Sequence, residues 1–398
     1  MDASISAVRH RIIVHSMVIV VRRITNDARD GIASGWTRGE SSKPVAVAVS
    51  SGMKIDHPAA TDARVEERAA VDAATFAAEV ATSSTPIVLR GQVSHWASVR
   101  AGLDGDRAIA AYLAGLGNGG QPMEVLIGGP EFGGRFFYRG DQLEGFNFHR
   151  EKASLGALLN ELLRLSALPE NARHILYANA ATAPEHLPGW SAANPLDLPM
   201  GGAVPRLWIG NGTQTATHYD GSTNLACVVA GQRRFTLFPP DQVGNLYIGP
   251  LDRTLAGPPA SMVDPLAPDF DRYPRYAEAL GHALVADLGP GDAIFMPAIW
   301  WHHVQAFGTL NVLCNYWWSF DPTVSAFNAV VHALMAVRDR PAAEKAGWRA
   351  WFDHYVFGDD AAAAADHLPM AARGVLGPAS DERTERLRNY LLKSLQRR

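Results

Sequence analysis

The chain has 398 residues, 47% hydrophobic and 19% charged, a composition able to bury a large core in one or two domains. Its formal net charge of −4 argues against a broad basic surface for nucleic acid. Cys227 and Cys314 lie in apolar runs without Cys-x-x-Cys spacing, which argues against a cysteine zinc site or a disulfide and for free thiols in a reducing, cytoplasmic compartment.

Residues 1–65 are rich in Ser, Gly and charge and carry no sustained periodicity, so a poorly ordered N-terminal extension is expected. The apolar run at 12–21 is about half the ~20 residues that a spanning helix needs. His15 and Ser16 interrupt it, so neither a membrane span nor a signal segment is expected. Regular patterning begins after Met53, which makes that methionine an alternative start. Asp72 is placed to cap a short helix running to Val80, with Phe76 and Val80 on one face. Residues 86–91 read as a strand ended by Gly91, and 106–116 as an amphipathic helix. Residues 123–127 and 135–138 read as strands joined through glycine-rich turns. Leu155, Leu158, Leu159, Leu162 and Leu163 follow helical spacing, and 175–179 is again extended.

From Pro205 to Phe320 short β-like runs dominate, the clearest at 206–209, 215–220, 224–230, 233–238, 293–296 and 310–318. Gly231 reads as a turn returning the chain into the next strand. Many short strands with turn signals predict a mainly-β, double-sheet jelly roll (a double-stranded β-helix) with flanking helices, spanning 66–323. The Pro- and Asp-rich stretch 249–283 is an insertion of a length that is often functional. After Asp321 and Pro322 the pattern turns helical, giving a C-terminal segment at 324–398. Phe327, Val330, Val331, Leu334 and Val337 mark one helix face. Trp348, Trp351, Phe352 and Tyr355 crowd the next segment, and Leu387, Leu391 and Leu395 stripe a last helix that starts near Ser380. These apolar faces predict a homodimer through the C-terminal helices.

The chemistry concentrates in two places. His218 and Asp220 are two residues apart at the end of a β-like run, so both project from one face. An imidazole and a carboxylate so placed are two thirds of the 2-His-1-carboxylate facial triad of non-haem Fe(II) oxygenases. A third ligand is available in Gly-Asp-Ala-Ile-Phe-Met-Pro-Ala-Ile-Trp-Trp-His-His-Val, residues 291–304. His302 and His303 are adjacent and point to opposite sides of an extended segment, so only one can ligate, and the residues alone do not choose. Arg233 and Arg234 pose the same alternative. A buried arginine is costly unless paired, and an oxygenase that uses 2-oxoglutarate needs an inward cation for the distal carboxylate of that co-substrate. One of the two arginines is therefore expected inside.

Four stretches carry a resemblance: 175–179, 215–240, 261–274 and 291–317. In them the chain resembles the cupin-like branch of the JmjC family of Fe(II)- and 2-oxoglutarate-dependent oxygenases, its asparaginyl hydroxylases in particular, over about residues 76–320. The resemblance implies His218, Asp220 and His302 as iron ligands. It sets Tyr177, Thr215 and Arg233 around the distal carboxylate of 2-oxoglutarate, Asn224 and Asn315 beside the chelating end, and Trp317 near the metal. It implies a dioxygenase, a hydroxylase consuming O₂, with a protein side chain, a nucleic-acid base or a small molecule as substrate. Two positions depart from the asparaginyl hydroxylases: Arg233 stands where they have lysine, and Ala226 where they have a bulky aromatic residue, which implies a wider pocket. A cupin hydrolase or isomerase using another metal, and a catalytically silent ligand-binding cupin, are the alternatives. The intact triad argues against the silent one.

Overall fold

The computed structural model describes residues 61, 63–117, 119–319 and 325–396. The expectations for the N-terminal extension and for Met53 as a start lie outside the described residues, apart from the last few before residue 66. There Val65 is buried and its N–H donates to the carbonyl of Val285 at 3.1 Å.

Twelve strands are described: β1 (Glu66–Ala69), β2 (Ile87–Arg90), β3 (Met123–Gly128), β4 (Arg135–Phe136), β5 (Phe148–Ala153), β6 (Ile175–Thr182), β7 (Arg206–Gly210), β8 (Gln214–Tyr219), β9 (Thr223–Phe238), β10 (Leu284–Leu288), β11 (Ala293–Met296) and β12 (Trp301–Trp318). They form two layers that share their longest members. One layer runs β1-β2-β11-β9-β12-β7-β6-β3-β5; the other adds β10 beside β9 and β8 beside β12, with β4 at its edge. The first half of β9 pairs with the second half of β12, residues 223–230 against 312–318. The second half of β9 pairs with the first half of β12, residues 232–238 against 301–307. Both strands thus pass from one layer to the other, which is the jelly roll expected from the pattern.

The bend corrects one expectation. Gly231 does not turn the chain back; it kinks one continuous sixteen-residue strand. The β9–β12 register slips between Phe307 and Val312, opposite this kink, and Gly231 (φ +76°) and Gly308 (φ +104°) take the left-handed backbone the slip requires. A Cβ at Gly231 would lie 2.0 Å from Asn311 Oδ1, so only glycine fits. Polar Gln232 beside the glycine breaks the apolar run, which is why one bent strand reads as two.

Helices cover the outer face of the first layer. Ala97–Leu103, Asp106–Leu116 and Leu155–Ser166 bring Val99, Ile109, Leu113, Leu158 and Leu162 against Leu89, Val229, Cys227 and Cys314. The helix starts follow their caps: Asp72 accepts from the N–H of Thr75 at 2.8 Å, and Ser154 from that of Ala157 at 3.3 Å. Each fully buried leucine contributes roughly 1.5–3 kcal/mol, so this side anchors one of the two layers between which the site lies. The C-terminal helices Phe327–Ala336, Ala342–Phe352 and Asp381–Gln396 bury no residue.

Candidate active site

β8 and β12 are antiparallel neighbours, and their register sets His302 directly opposite His218. The ring centroids are 4.4 Å apart. Asp220 follows the end of β8 on the same face as His218, and its carboxylate Oδ2 lies 3.7 Å from His302 Nε2. One ligand atom from each of the three lies within 4.8 Å of the others, and His218, Asp220 and His302 form the one group of this kind among the described residues. The turn before β12 ties this corner together: the N–H of Ile299, at φ +62°, donates to the backbone carbonyl of Asp220 at 2.8 Å.

Both imidazoles are oriented in the same way. His218 Nδ1 donates to the carbonyl of Ala216 at 2.9 Å, and His302 Nδ1 to that of Trp300 at 3.0 Å. A carbonyl only accepts, so each Nδ1 carries the proton and each Nε2 keeps its lone pair for a metal. Burial pushes His302 down to about 4; His218 adds to the shift and Asp220 opposes it. The ring is therefore neutral at pH 7, the form that ligates. Asn224 donates to Asp220 Oδ2 at 3.4 Å, and Asn315 donates to Asn224 Oδ1 at 3.0 Å, so an amide chain supports the carboxylate.

The three ligand candidates stand in the wall of a cavity of about 400 Å³ between the layers. Tyr177, Thr215, Asn224, Arg233, Asn315 and Trp317 line the same cavity. Nine separately named positions from four strands and one loop thus converge. His303, Arg234 and Ala226 are not in the wall. Arg233 is 3% exposed, and its Nε and Nη2 meet no hydrogen-bond partner. Its contact in the protein is the Tyr177 hydroxyl. Burial pulls the guanidinium below the usual arginine range while Tyr177 opposes the shift. The side chain of Arg234, also buried, binds Asp287 through Nε at 2.6 Å and Nη2 at 3.0 Å. Ala226 is fully buried among the residues packed inside the barrel, and Trp208 packs against that cluster. The room left by the small residue is therefore not added to the cavity at that position.

Several wall residues carry no signal in the sequence. The insertion after β9 is strapped across the cavity. Tyr138 donates through its hydroxyl to the carbonyl of Arg253 at 2.7 Å, and Arg150 to that of Leu255 at 2.5 Å. This sets Leu255, Ala256, Pro258 and Ala260 in the wall. Asn179 and Ala180 enter it because the β6–β7 register slips between Ala178 and Ala181, with Ala180 at φ +51°. Such bulges re-aim side chains beside sites. Trp208 on β7 completes the floor, its ring stacked on Tyr177 at 5.8 Å and edge-on to Trp317 at 5.8 Å.

Residues 73–323, more than half of the chain, match the cupin-like domain family. Among curated proteins, Jumonji C domain-containing protein 5 of Drosophila melanogaster is 28% identical over 58% of this chain and 54% of its own. A lysine-specific demethylase of Arabidopsis thaliana is 35% identical over 26% of this chain and 19% of its own. A bifunctional peptidase and (3S)-lysyl hydroxylase of Homo sapiens is 29% identical over 35% of this chain and 49% of its own. The chain thus spans from about a fifth to about half of the length of these relatives. They carry the broad resemblance rather than the narrower one to asparaginyl hydroxylases. The family match takes in every strand but β1 and every residue of the cavity wall, and the chain belongs to the cupin-like (JmjC) family.

Proposed function

We propose that the protein is an Fe(II)- and 2-oxoglutarate-dependent dioxygenase, a hydroxylase acting on a protein side chain, a nucleic-acid base or a small molecule. The observation that carries this reading is Arg233. A buried guanidinium without an anion is heavily penalised, and its Nε and Nη2 form the edge that grips a carboxylate with two parallel hydrogen bonds. That edge is bare in a cavity that also holds a His-Asp-His group. A metal together with a small dicarboxylate fits both features at once.

In this reading His218, Asp220 and His302 hold the metal, through Nε2 of each histidine and the Asp220 carboxylate. Arg233, Tyr177 and Thr215 hold the distal carboxylate, Asn224 and Asn315 steady the metal end, and Trp317 flanks it. The chemistry supplied when both are bound is O₂-dependent hydroxylation coupled to oxidation of 2-oxoglutarate to succinate and CO₂. Leu126, Phe136, Phe148 and the strap residues Leu255 and Pro258 give the cavity apolar walls that keep bulk water away. Anaerobic addition of Fe(II) and then 2-oxoglutarate tests the proposal, with a weak visible charge-transfer band expected. Metal binding without that band favours a cupin hydrolase or isomerase, and binding of neither favours a silent ligand-binding cupin.

The domain division is 66–323 for the jelly roll and 324–398 for the C-terminal segment. Val330, Val331, Leu391 and Leu395 in that segment are each about half exposed, which supports a homodimer through these helices. Light scattering that gives the 42.9 kDa of one chain at micromolar concentration would reject it. A cytoplasmic location agrees with two buried free thiols. Among the described residues no helix is long and apolar enough to cross a membrane.

A further inference from the structure

We infer that Trp208 is a co-substrate-binding residue: its indole N–H donates a hydrogen bond to an oxygen of the 2-oxoglutarate gripped by Arg233. The inference rests on the proposed function and adds a residue to it.

Trp208 alternates with Leu207 and Ile209, which are fully buried in the outer core, so its ring is on the inner face of β7. There it bridges the two ends of the cavity. One side stacks on Tyr177, the residue that touches Arg233; the other meets the edge of Trp317. The slot is built for this. Gly210 lies two residues on, on the same face, and opposite Tyr177 in the β6–β7 ladder. A Cβ there would lie 2.6 Å from Tyr177 Cδ2 and 2.6 Å from the carbonyl of Leu176. The missing side chain at 210 is what lets the Tyr177 ring lie over β7 against the indole.

The polar end of that indole has no acceptor in the protein. Trp208 Nε1 is sealed from solvent and without a hydrogen-bond partner, a state that buried donors rarely keep. Among buried indoles away from the cavity, Trp96 Nε1 donates to the carbonyl of Pro195 at 2.6 Å and Trp300 Nε1 to that of Ser84 at 2.9 Å, while Trp190 Nε1 also lacks a partner. Arg233 Nε and Nη2 and Trp317 Nε1 share the condition of Trp208 Nε1, and all belong to the cavity wall. A wall offering several unmatched donors fits a ligand rich in acceptors. A 2-oxo dicarboxylate has five oxygens and no donor when ionised.

The test is Trp208→Phe, which keeps an aromatic wall and removes the N–H. The full chain is titrated by calorimetry, first with Mn(II) as the metal probe and then, Mn(II)-loaded, with 2-oxoglutarate. A hydrogen bond to a charged group supports a weakening of 2-oxoglutarate binding by about tenfold, with Mn(II) affinity within about twofold of the wild type. Trp208→His, which keeps a ring N–H on a smaller ring, should recover part of the lost affinity, whereas a packing role alone would leave it at least as weak as Trp208→Phe. Unchanged 2-oxoglutarate affinity in a folded variant overturns the inference and leaves the proposed function standing. Failure of the wild type to bind 2-oxoglutarate overturns both. Should the phenylalanine variant lose its circular-dichroism spectrum, Trp208→Leu makes the same measurement, read the same way.

Discussion

The two faces of the bent β9–β12 pair use the same residues in opposite ways. On the outer face Arg234 binds Asp287 through Nε and Nη2, and Asp287 also takes Arg64 at 2.7 Å. On the inner face Arg233, one residue earlier and in the cavity wall, leaves the same two nitrogens without a hydrogen-bond partner. The histidines split between the faces in the same way: His302 enters the cavity opposite His218, while His303, buried on the other side, lies in register with Thr236. The difference teaches that burial and charge do not distinguish structural from functional residues here. What distinguishes them is which side of the strands they face. The guanidinium edge of Arg234 is satisfied within the fold, whereas that of Arg233 is held unsatisfied, at a cost that a ligand would offset.

The histidine pair offers the largest way to break this comparison. His302→Gln should lower metal affinity on the order of 100-fold or more, because loss of even a supporting partner costs 10–100-fold. His303→Gln should stay within about threefold. Metal titrations on both variants check this, and equal losses would mean that the faces are not functionally distinct.

The arginine pair sharpens it with a crossed outcome. Arg233→Met should weaken 2-oxoglutarate by about 30-fold or more, as for other buried charge pairs truncated on one side, roughly 2–5 kcal/mol. Its metal affinity should hold, and its melting temperature without ligand should not fall, since the charge removed had no ionic partner in the protein. Arg234→Met should do the reverse, keeping 2-oxoglutarate binding and losing about 1 kcal/mol of stability. That modest figure reflects the half-exposed Asp287, which keeps Arg64. Ligand titration with thermal unfolding on both variants reads all four results, and a stability loss confined to Arg233→Met would invert the assignment.

The smallest effect concerns pH. His302 is held at about 4 by burial, below an ordinary histidine near 6.5. In that interval the unfolded chain takes a proton that the folded one refuses. Its contribution to stability is therefore full above about 6.5 and is lost as pH falls toward 4. The melting temperature of the metal-free protein should drop over this range. The drop should be shallower in His302→Gln; identical slopes would show that the ring is not kept neutral by the fold.

Much of the architecture was local enough to read from the chain. Helix 106–116 and strand 293–296 have the limits their patterns predict, Asp72 caps its helix, and His218 and Asp220 share a face because strand residues two apart must. Adjacent pairs at 233–234 and 302–303 had to split between two faces for the same reason. Which member faced inward was not local. It followed from the register that sets His302 against His218, and from β9 continuing through Gly231 rather than turning back. Trp208, Asn179 and the strap at 255–260 entered the cavity through a missing Cβ at Gly210, a slipped register and two hydrogen bonds from Tyr138 and Arg150. Periodicity and capping arise between residues a few positions apart, so the sequence by itself determined the elements and the paired alternatives. Ladder register and layer packing join residues more than 100 positions apart, as Trp300 and Ser84 are at 216, so only the tertiary structure decided which of them meet.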